Sequence, residues 1–156
     1  MPTNHRLQIP PALTQRLVEL VEQHRAIPYD GFVDGLAKGL PTVAEELHHA
    51  TTGMSGESGE LLDVTKKLWI YEKPITEAIV EHLIEELGDL RWYYQAMLNT
   101  LGITDEQVQA FNKGKLLVRY PGGVYSNAAA QARADKQPGA DRKFFGKPDG
   151  ADSTQS

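Results

Sequence analysis

Two pairs of carboxylates, each pair three residues apart, occur where the surrounding residues follow an apolar helical pattern. Glu57 and Glu60 fall in GESGELLDVTKK, and Glu86 and Asp89 fall in HLIEELGDLRWYY. Residues three apart on a helix share a face, with Cβ atoms about 5–6 Å apart, so both members of a pair can reach one cation. The spacing therefore predicts two helical carboxylate pairs that can bind metal.

Glu86 lies inside an apolar stripe, between Leu83 and Leu87. A carboxylate that faces a low-dielectric core needs a counter-charge. If the two helices pack antiparallel, all four carboxylates converge, and an all-oxygen site selects hard divalent cations. We therefore expect Mg²⁺, with Mn²⁺ as the second choice. The sequence contains no cysteine, which excludes zinc-thiolate, iron-sulfur and disulfide sites.

The elements that position these residues are predicted to be helices, in an all-α bundle of about four to five. We expect helices in PALTQRLVELVEQHR, from Thr42 through residue 71, from Thr76 to about Thr100, and from the capping sequence TDEQ at residue 104 to the PGG at residue 121. Gly102 is the expected stop of the third helix. Segment 26–41, rich in glycine and proline, is predicted to be a packed loop.

The composition, 156 residues with 40% hydrophobic and 24% charged, fits one domain over residues 1–126. Residues 127–156 are predicted to be a largely mobile tail, in which Phe144 and Phe145 could dock on the body or on a partner subunit. The net charge of −5 argues against nucleic acid as a partner. No signal peptide or membrane span is recognised, so a cytoplasmic location is expected.

The order of the motifs GESGELLDVTKK, EELGDLRWYY and NKGKLLVRYPGGVYS resembles the MazG-like superfamily of all-α nucleoside triphosphate pyrophosphohydrolases, over roughly residues 42–126. The resemblance implies that Glu57, Glu60, Glu86 and Asp89 bind Mg²⁺ and catalyse cleavage of the α–β phosphoanhydride. The products would be a nucleoside monophosphate and pyrophosphate. It also implies a homodimer or homotetramer, as would the apolar face of each helix.

Several residues are candidates to contact the substrate. The resemblance implies that Asn112, Lys115, Arg119 and Tyr120 hold phosphates or sugar. Lys66 and Lys67 follow the first carboxylate pair by one to two helical turns and could neutralise phosphate charge. Glu57 or Glu60 is the expected general base. Base specificity is expected to depend on segment 26–41 and on aromatic residues near Trp69.

Two alternatives stay open. Glu45/His48 and Glu46/His49 are ExxH pairs, which are typical of di-metal carboxylate oxidases in helical bundles, although such sites use an ExxH on each of two helices. These histidines could instead line a base or sugar pocket. A non-catalytic helical assembly module with a structural cation is the second alternative, and the basic segment NKGKLLVR argues against it.

Overall fold

The computed structural model describes residues 7–140, and the described part of the chain is all-α, with no strand. Its helices are α1 (Pro11–His24), α2 (Tyr29–Leu36), α3 (Val43–Trp69), α4 (Glu77–Leu101), α5 (Asp105–Arg119) and α6 (Asn127–Ala132), followed by a 3₁₀ turn at Ala134–Lys136. The all-α prediction is confirmed. The chain divides into two compact units, the first ending at Gly102 and the second beginning at Ile103.

The two long helices of the first unit, α3 and α4, run antiparallel. Thr100 lies beside Glu46, with 3.3 Å between the hydroxyl and a carboxylate oxygen, whereas the Tyr93 ring lies against Gly53, further along α3. Residues later in α3 therefore contact residues earlier in α4. Buried apolar side chains of this unit form the core: Leu13, Val33, Ala50, Val64, Val80 and Leu98.

Side-chain caps fix the helix starts that the sequence predicts. The hydroxyl of Thr42 accepts from the Glu45 amide at 3.2 Å, and that of Thr76 accepts from the Ile79 amide at 3.4 Å. Gly102, in the left-handed conformation with φ of 64°, ends α4 as predicted. The bounds of the helix pair that carries the candidate carboxylates therefore depend on local sequence.

Helix α2 differs from the prediction, which has a loop throughout segment 26–41. Gly31 and Gly35 disfavour a helix here, but Val33 is fully buried and anchors the turn in the core. The Asn99 side chain on α4 also donates to the Asp30 carbonyl at 3.0 Å and to the Asp34 carboxylate at 2.6 Å. Contacts with α4 thus outweigh the local glycine penalty.

The second unit is organised around α5, whose Thr104–Gln107 capping box forms as predicted. Residues 127–140, which belong to the predicted tail, form α6 and the 3₁₀ turn. Asp135 in this turn is buried and binds Arg119 of α5. Residues 141–156, including Phe144 and Phe145, lie outside the described part of the chain. The domain boundary at residue 126 and the mobility of the tail stay predictions.

Within the described residues, no helix combines the length and the apolar character that a bilayer span requires.

Candidate metal centre

Three of the four predicted carboxylates meet between α3 and α4. Glu57 and Glu60 lie one turn apart on α3, and Glu86 lies opposite them on α4. One ligand oxygen from each lies within 4.8 Å of the others, and this is the one group of three or more metal-ligating side chains that the described residues form. The antiparallel arrangement thus brings the two motifs together.

Glu86 is buried at 5% exposure, as its position in the apolar stripe predicts. One oxygen of its carboxylate lies 2.8 Å from Nε2 of His82, one turn earlier on α4. A buried carboxylate requires hydrogen bonds or a cation to offset its lost hydration. His82 supplies one such partner and fixes the orientation of the carboxylate.

The pKa of Glu57 is affected by all three of the other predicted carboxylates. Partial burial raises the pKa of its carboxyl group, and the nearby negative charges of Glu60, Asp89 and Glu86 raise it further. A hydrogen bond with Glu86 acts in the same direction. The metal-free protein therefore concentrates negative charge around Glu57.

Asp89 lies beside the three-oxygen group and is not one of its members. With Glu57, Trp92 and Tyr93 it lines an open cavity of about 390 Å³. The fourth predicted carboxylate therefore faces the same cavity as Glu57. It contributes charge to the site and is exposed to solvent.

The donor set fits Mg²⁺ or Mn²⁺. Oxygen ligands of Mg²⁺ lie about 2.0–2.1 Å from the ion, so opposite ligands of one octahedron are about 4 Å apart. At most one pair of the three carboxylate oxygens can be opposite, and adjacent ligands are about 2.9 Å apart. Binding of the ion would therefore draw the three oxygens, which lie within 4.8 Å of one another, closer together. A divalent ion held by Glu57, Glu60 and Glu86 would also remove the repulsion that raises the pKa of Glu57.

The predicted phosphate-binding lysines of α3 pair with a carboxylate of their own helix. The ammonium group of Lys66 lies 3.2 Å from Asp63, and that of Lys67 lies 2.8 Å from the same carboxylate. The Lys66 ammonium also lies 5.9 Å from the centre of the Tyr71 ring. All three ion-paired side chains are partly exposed, so the assignment of these lysines to phosphate stays a prediction.

The remaining predicted substrate residues belong to the second unit. Arg119 makes a two-point contact with Asp135, at 2.5 Å from Nε and 2.7 Å from a terminal nitrogen. This contact raises the pKa of Arg119 and lowers that of Asp135. Tyr120 packs against Tyr125 with ring centres 5.9 Å apart, and Asn112 is exposed on α5 whereas Lys115 is half-buried. Arg119 thus has a structural partner that sequence reasoning did not identify.

Aromatic rings occupy the space between α3 and α4 next to the carboxylates. The Tyr93 ring packs edge-on against His49 and Trp92, with ring centres 5.6 and 5.0 Å apart. It also lies so close to Gly53 that a Cβ there would be 2.3 Å from a ring carbon. Glycine at position 53 is therefore a requirement of this packing. Trp69, by contrast, is 84% exposed at the end of α3.

The ExxH pairs do not join the carboxylate group. Glu46 and His49 line a different cavity, and Glu45 accepts a hydrogen bond from Thr42 at the start of α3. His82, which does contact the group, was not predicted from the sequence. The signal for it is its position four residues before Glu86, one helical turn away on the same face.

No protein-family model matches this chain, and no solved structure matches it. The Gene 37 protein of Mycobacterium phage L5 is 35% identical to the chain over 82 residues. The match covers 51% of this chain and 71% of the phage protein. The chain therefore belongs to the same family as the Gene 37 protein of this phage.

Proposed function

We propose that this chain is a Mg²⁺-dependent nucleoside triphosphate pyrophosphohydrolase with a MazG-like fold. The observation that carries the proposal is the convergence of Glu57, Glu60 and buried Glu86, with Asp89 at the same cavity. The order of motifs that resembles the MazG-like superfamily supports the choice of reaction. Together they favour metal-assisted phosphoanhydride hydrolysis over other uses of a carboxylate cluster.

In the proposed reaction, water adds across the α–β phosphoanhydride and gives a nucleoside monophosphate and pyrophosphate. Bound Mg²⁺ would supply charge stabilisation for the phosphate oxygens. Glu57, which lines the open cavity beside Asp89, is the carboxylate that we expect to accept the proton of the water. Asp89 would act with it at the cavity, and Lys66 and Lys67 lie on the same helix as candidates to contact the released pyrophosphate.

The di-metal oxidase alternative has less support, because Glu46 and His49 line a separate cavity and the three-carboxylate group includes no histidine. The structural-cation alternative predicts metal binding without turnover. The pyrophosphohydrolase proposal and the structural-cation alternative therefore differ in one measurable property, which is the release of pyrophosphate.

The test is pyrophosphate release from a panel of ribo- and deoxyribonucleoside triphosphates with Mg²⁺, Mn²⁺ or EDTA, resolving pyrophosphate from orthophosphate. We expect metal-dependent pyrophosphate in equal amounts with the monophosphate. Glu86→Gln should reduce turnover to background at unchanged helicity. Glu85→Gln, which removes the same charge at the exposed neighbouring position, should retain it. Full activity of Glu86→Gln, or no turnover of any nucleotide by the wild type, would overturn the proposal.

A further inference from the structure

A second cavity, of about 220 Å³, lies within the first unit between α2, the connection to α3, α3 and α4. Its apolar wall includes the fully buried Val33, and its aromatic wall is formed by His49 and Trp92. Trp92 also lines the cavity that contains Glu57 and Asp89. One side chain is thus shared between the two cavities.

The distance between the cavities suits one ligand that occupies both. His49 precedes Glu57 by eight residues on α3, which is about 12 Å along a helix axis at 1.5 Å per residue. Trp92 follows Asp89 by about one turn on α4. A nucleotide whose phosphates lie at the carboxylates would therefore carry its base towards His49 and Trp92. Aromatic and apolar walls favour a planar ring there.

The polar edge of this second cavity includes two carboxylates, Glu46 and Asp34, and the side chain of Lys38. Glu46 is half-buried and accepts a long hydrogen bond, 3.3 Å, from the Leu40 amide. Its other oxygen lies 3.3 Å from the Thr100 hydroxyl, whose single proton has a nearer acceptor in the Ala96 carbonyl at 2.9 Å. Glu46 therefore retains capacity to accept hydrogen bonds.

Asp34 is the second carboxylate at this edge. One of its oxygens accepts from the Asn99 amide at 2.6 Å. Asn99 is itself held by Gln95, which donates to its carbonyl oxygen at 2.8 Å. Asn99 therefore positions Asp34, and a carboxylate has further lone pairs beyond the one that Asn99 uses.

We propose that this second cavity binds a nucleobase that carries an exocyclic amino group, with Glu46 and Asp34 accepting its N–H donors. The inference rests on the proposed function, since it assumes that the ligand is a nucleotide. Uracil and thymine present one N–H between two carbonyl oxygens at the equivalent edge, and two carboxylates would repel these oxygens. Cytosine, adenine and guanine each present amino N–H groups instead.

The first measurement is binding without catalysis. Trp69→Phe removes the exposed tryptophan and leaves Trp92 as the single tryptophan of the chain, so the fluorescence reports on ligands bound in either of the two cavities that Trp92 lines. Cytidine and uridine 5′-monophosphates are titrated in EDTA, as are adenosine and inosine 5′-monophosphates. We expect the amino-bearing member of each pair to bind at least tenfold more tightly. Equal affinity within both pairs would overturn the inference.

Isosteric variants identify the groups responsible. Glu46→Gln and Asp34→Asn keep the shape of each side chain and replace an acceptor oxygen by a donor, so discrimination within each pair should fall to near unity. Glu45→Gln is the matched control, because it removes a neighbouring exposed carboxylate outside the cavity and should leave discrimination unchanged. Wild-type discrimination in both cavity variants would contradict the assignment.

Pyrophosphate release separates this inference from the function on which it rests. If triphosphates of all bases are hydrolysed with equal kcat/KM, the reaction stands and the base assignment fails. If amino-bearing monophosphates bind selectively and no triphosphate is hydrolysed, the base site stands and the proposed function fails.

Discussion

At the scale of single residues, the candidate site combines a buried carboxylate, Glu86, with one that lies among other negative charges, Glu57. Glu86 loses its hydration and keeps His82 as a partner, whereas Glu57 has its pKa raised by burial and by three neighbouring acids. The position of Glu86 was predictable, because a helical period of 3.6 places it in the stripe. The roles of His82 and Asn99 were not, because their meaning depends on a partner that only the fold supplies.

The raised pKa of Glu57 predicts a stability change with a definite sign. Its folded-state pKa exceeds that of the unfolded chain, so ionised Glu57 destabilises the metal-free fold at neutral pH, and this cost disappears as the pH falls through the raised pKa. Glu57→Gln should therefore raise the melting temperature in EDTA at pH 7 by a few degrees, with a smaller gain near pH 4. Calorimetry across this pH range measures both.

Mg²⁺ should reverse the order of the melting temperatures of the wild type and Glu57→Gln. Millimolar Mg²⁺ should stabilise the wild type and leave Glu57→Gln nearly unaffected, since the variant lacks one of the proposed ligands. The exposed Glu85→Gln serves as the control and should behave as the wild type throughout. A variant no more stable than wild type in EDTA would show that repulsion at Glu57 is negligible.

The contact of His82 with Glu86 predicts that His82 positions a proposed metal ligand. Removing such a partner typically weakens metal affinity by about 10–100-fold. His82→Ala should therefore shift Mg²⁺ binding, followed by titration calorimetry, to higher concentration, and His82→Gln, which retains a donor, should recover part of the loss. Unchanged Mg²⁺ affinity in His82→Ala would show that Glu86 needs no such support.

At the scale of elements, α3 and α4 determine the site, and most of both could be predicted. Threonine caps and Gly102 fix their bounds, and two carboxylate pairs on successive helices indicated an antiparallel meeting point. Helix α2 could not be predicted, because Val33 and the Asn99 hydrogen bonds stabilise it from outside its own sequence. The second cavity depends on α2 and was therefore also beyond sequence reasoning.

Two glycines of α3 predict opposite effects of the same substitution. In a helix, Gly→Ala ordinarily stabilises by about 0.8–1.0 kcal/mol, and Gly59 has open space around its would-be Cβ. Gly53→Ala, by contrast, must displace the Tyr93 ring, because its Cβ would lie 2.3 Å from a ring carbon. Urea unfolding should show Gly59→Ala stabilised and Gly53→Ala destabilised. Stabilisation by both would mean that Tyr93 moves at no cost.

At the scale of the whole molecule, the chain forms two units, and each contains part of the predicted substrate-binding set. The oligomeric state stays a prediction, as does any role of Asn112, Lys115 and Tyr120 in binding phosphate or sugar. The buried Asp135 was not recognised in the sequence, because an isolated aspartate among alanines carries no periodic signal. Its significance arises only when α6 and the 3₁₀ turn bring it to Arg119.

The ion pair between Asp135 and Arg119 is expected to make the second unit less stable in acid. Arg119 lowers the pKa of Asp135 below that of the unfolded chain, so the pair contributes stability at neutral pH that is lost as the pH falls through the lowered pKa. Asp135→Asn should weaken protection of the α6 amides against hydrogen exchange at pH 7. The exposed Glu106→Gln should not do so. Equal protection in wild type and Asp135→Asn would show that the pair does not hold α6.

The short connection between α3 and α4 also bears on how the molecule forms. Only residues 70–76 separate the two helices, so they can meet as a local hairpin with little loss of loop entropy. We expect this hairpin to belong to the folding nucleus. Repulsion among Glu57, Glu60 and Glu86 would then oppose the rate-limiting step itself, so the charges suited to binding a cation would also slow folding of the chain in its absence.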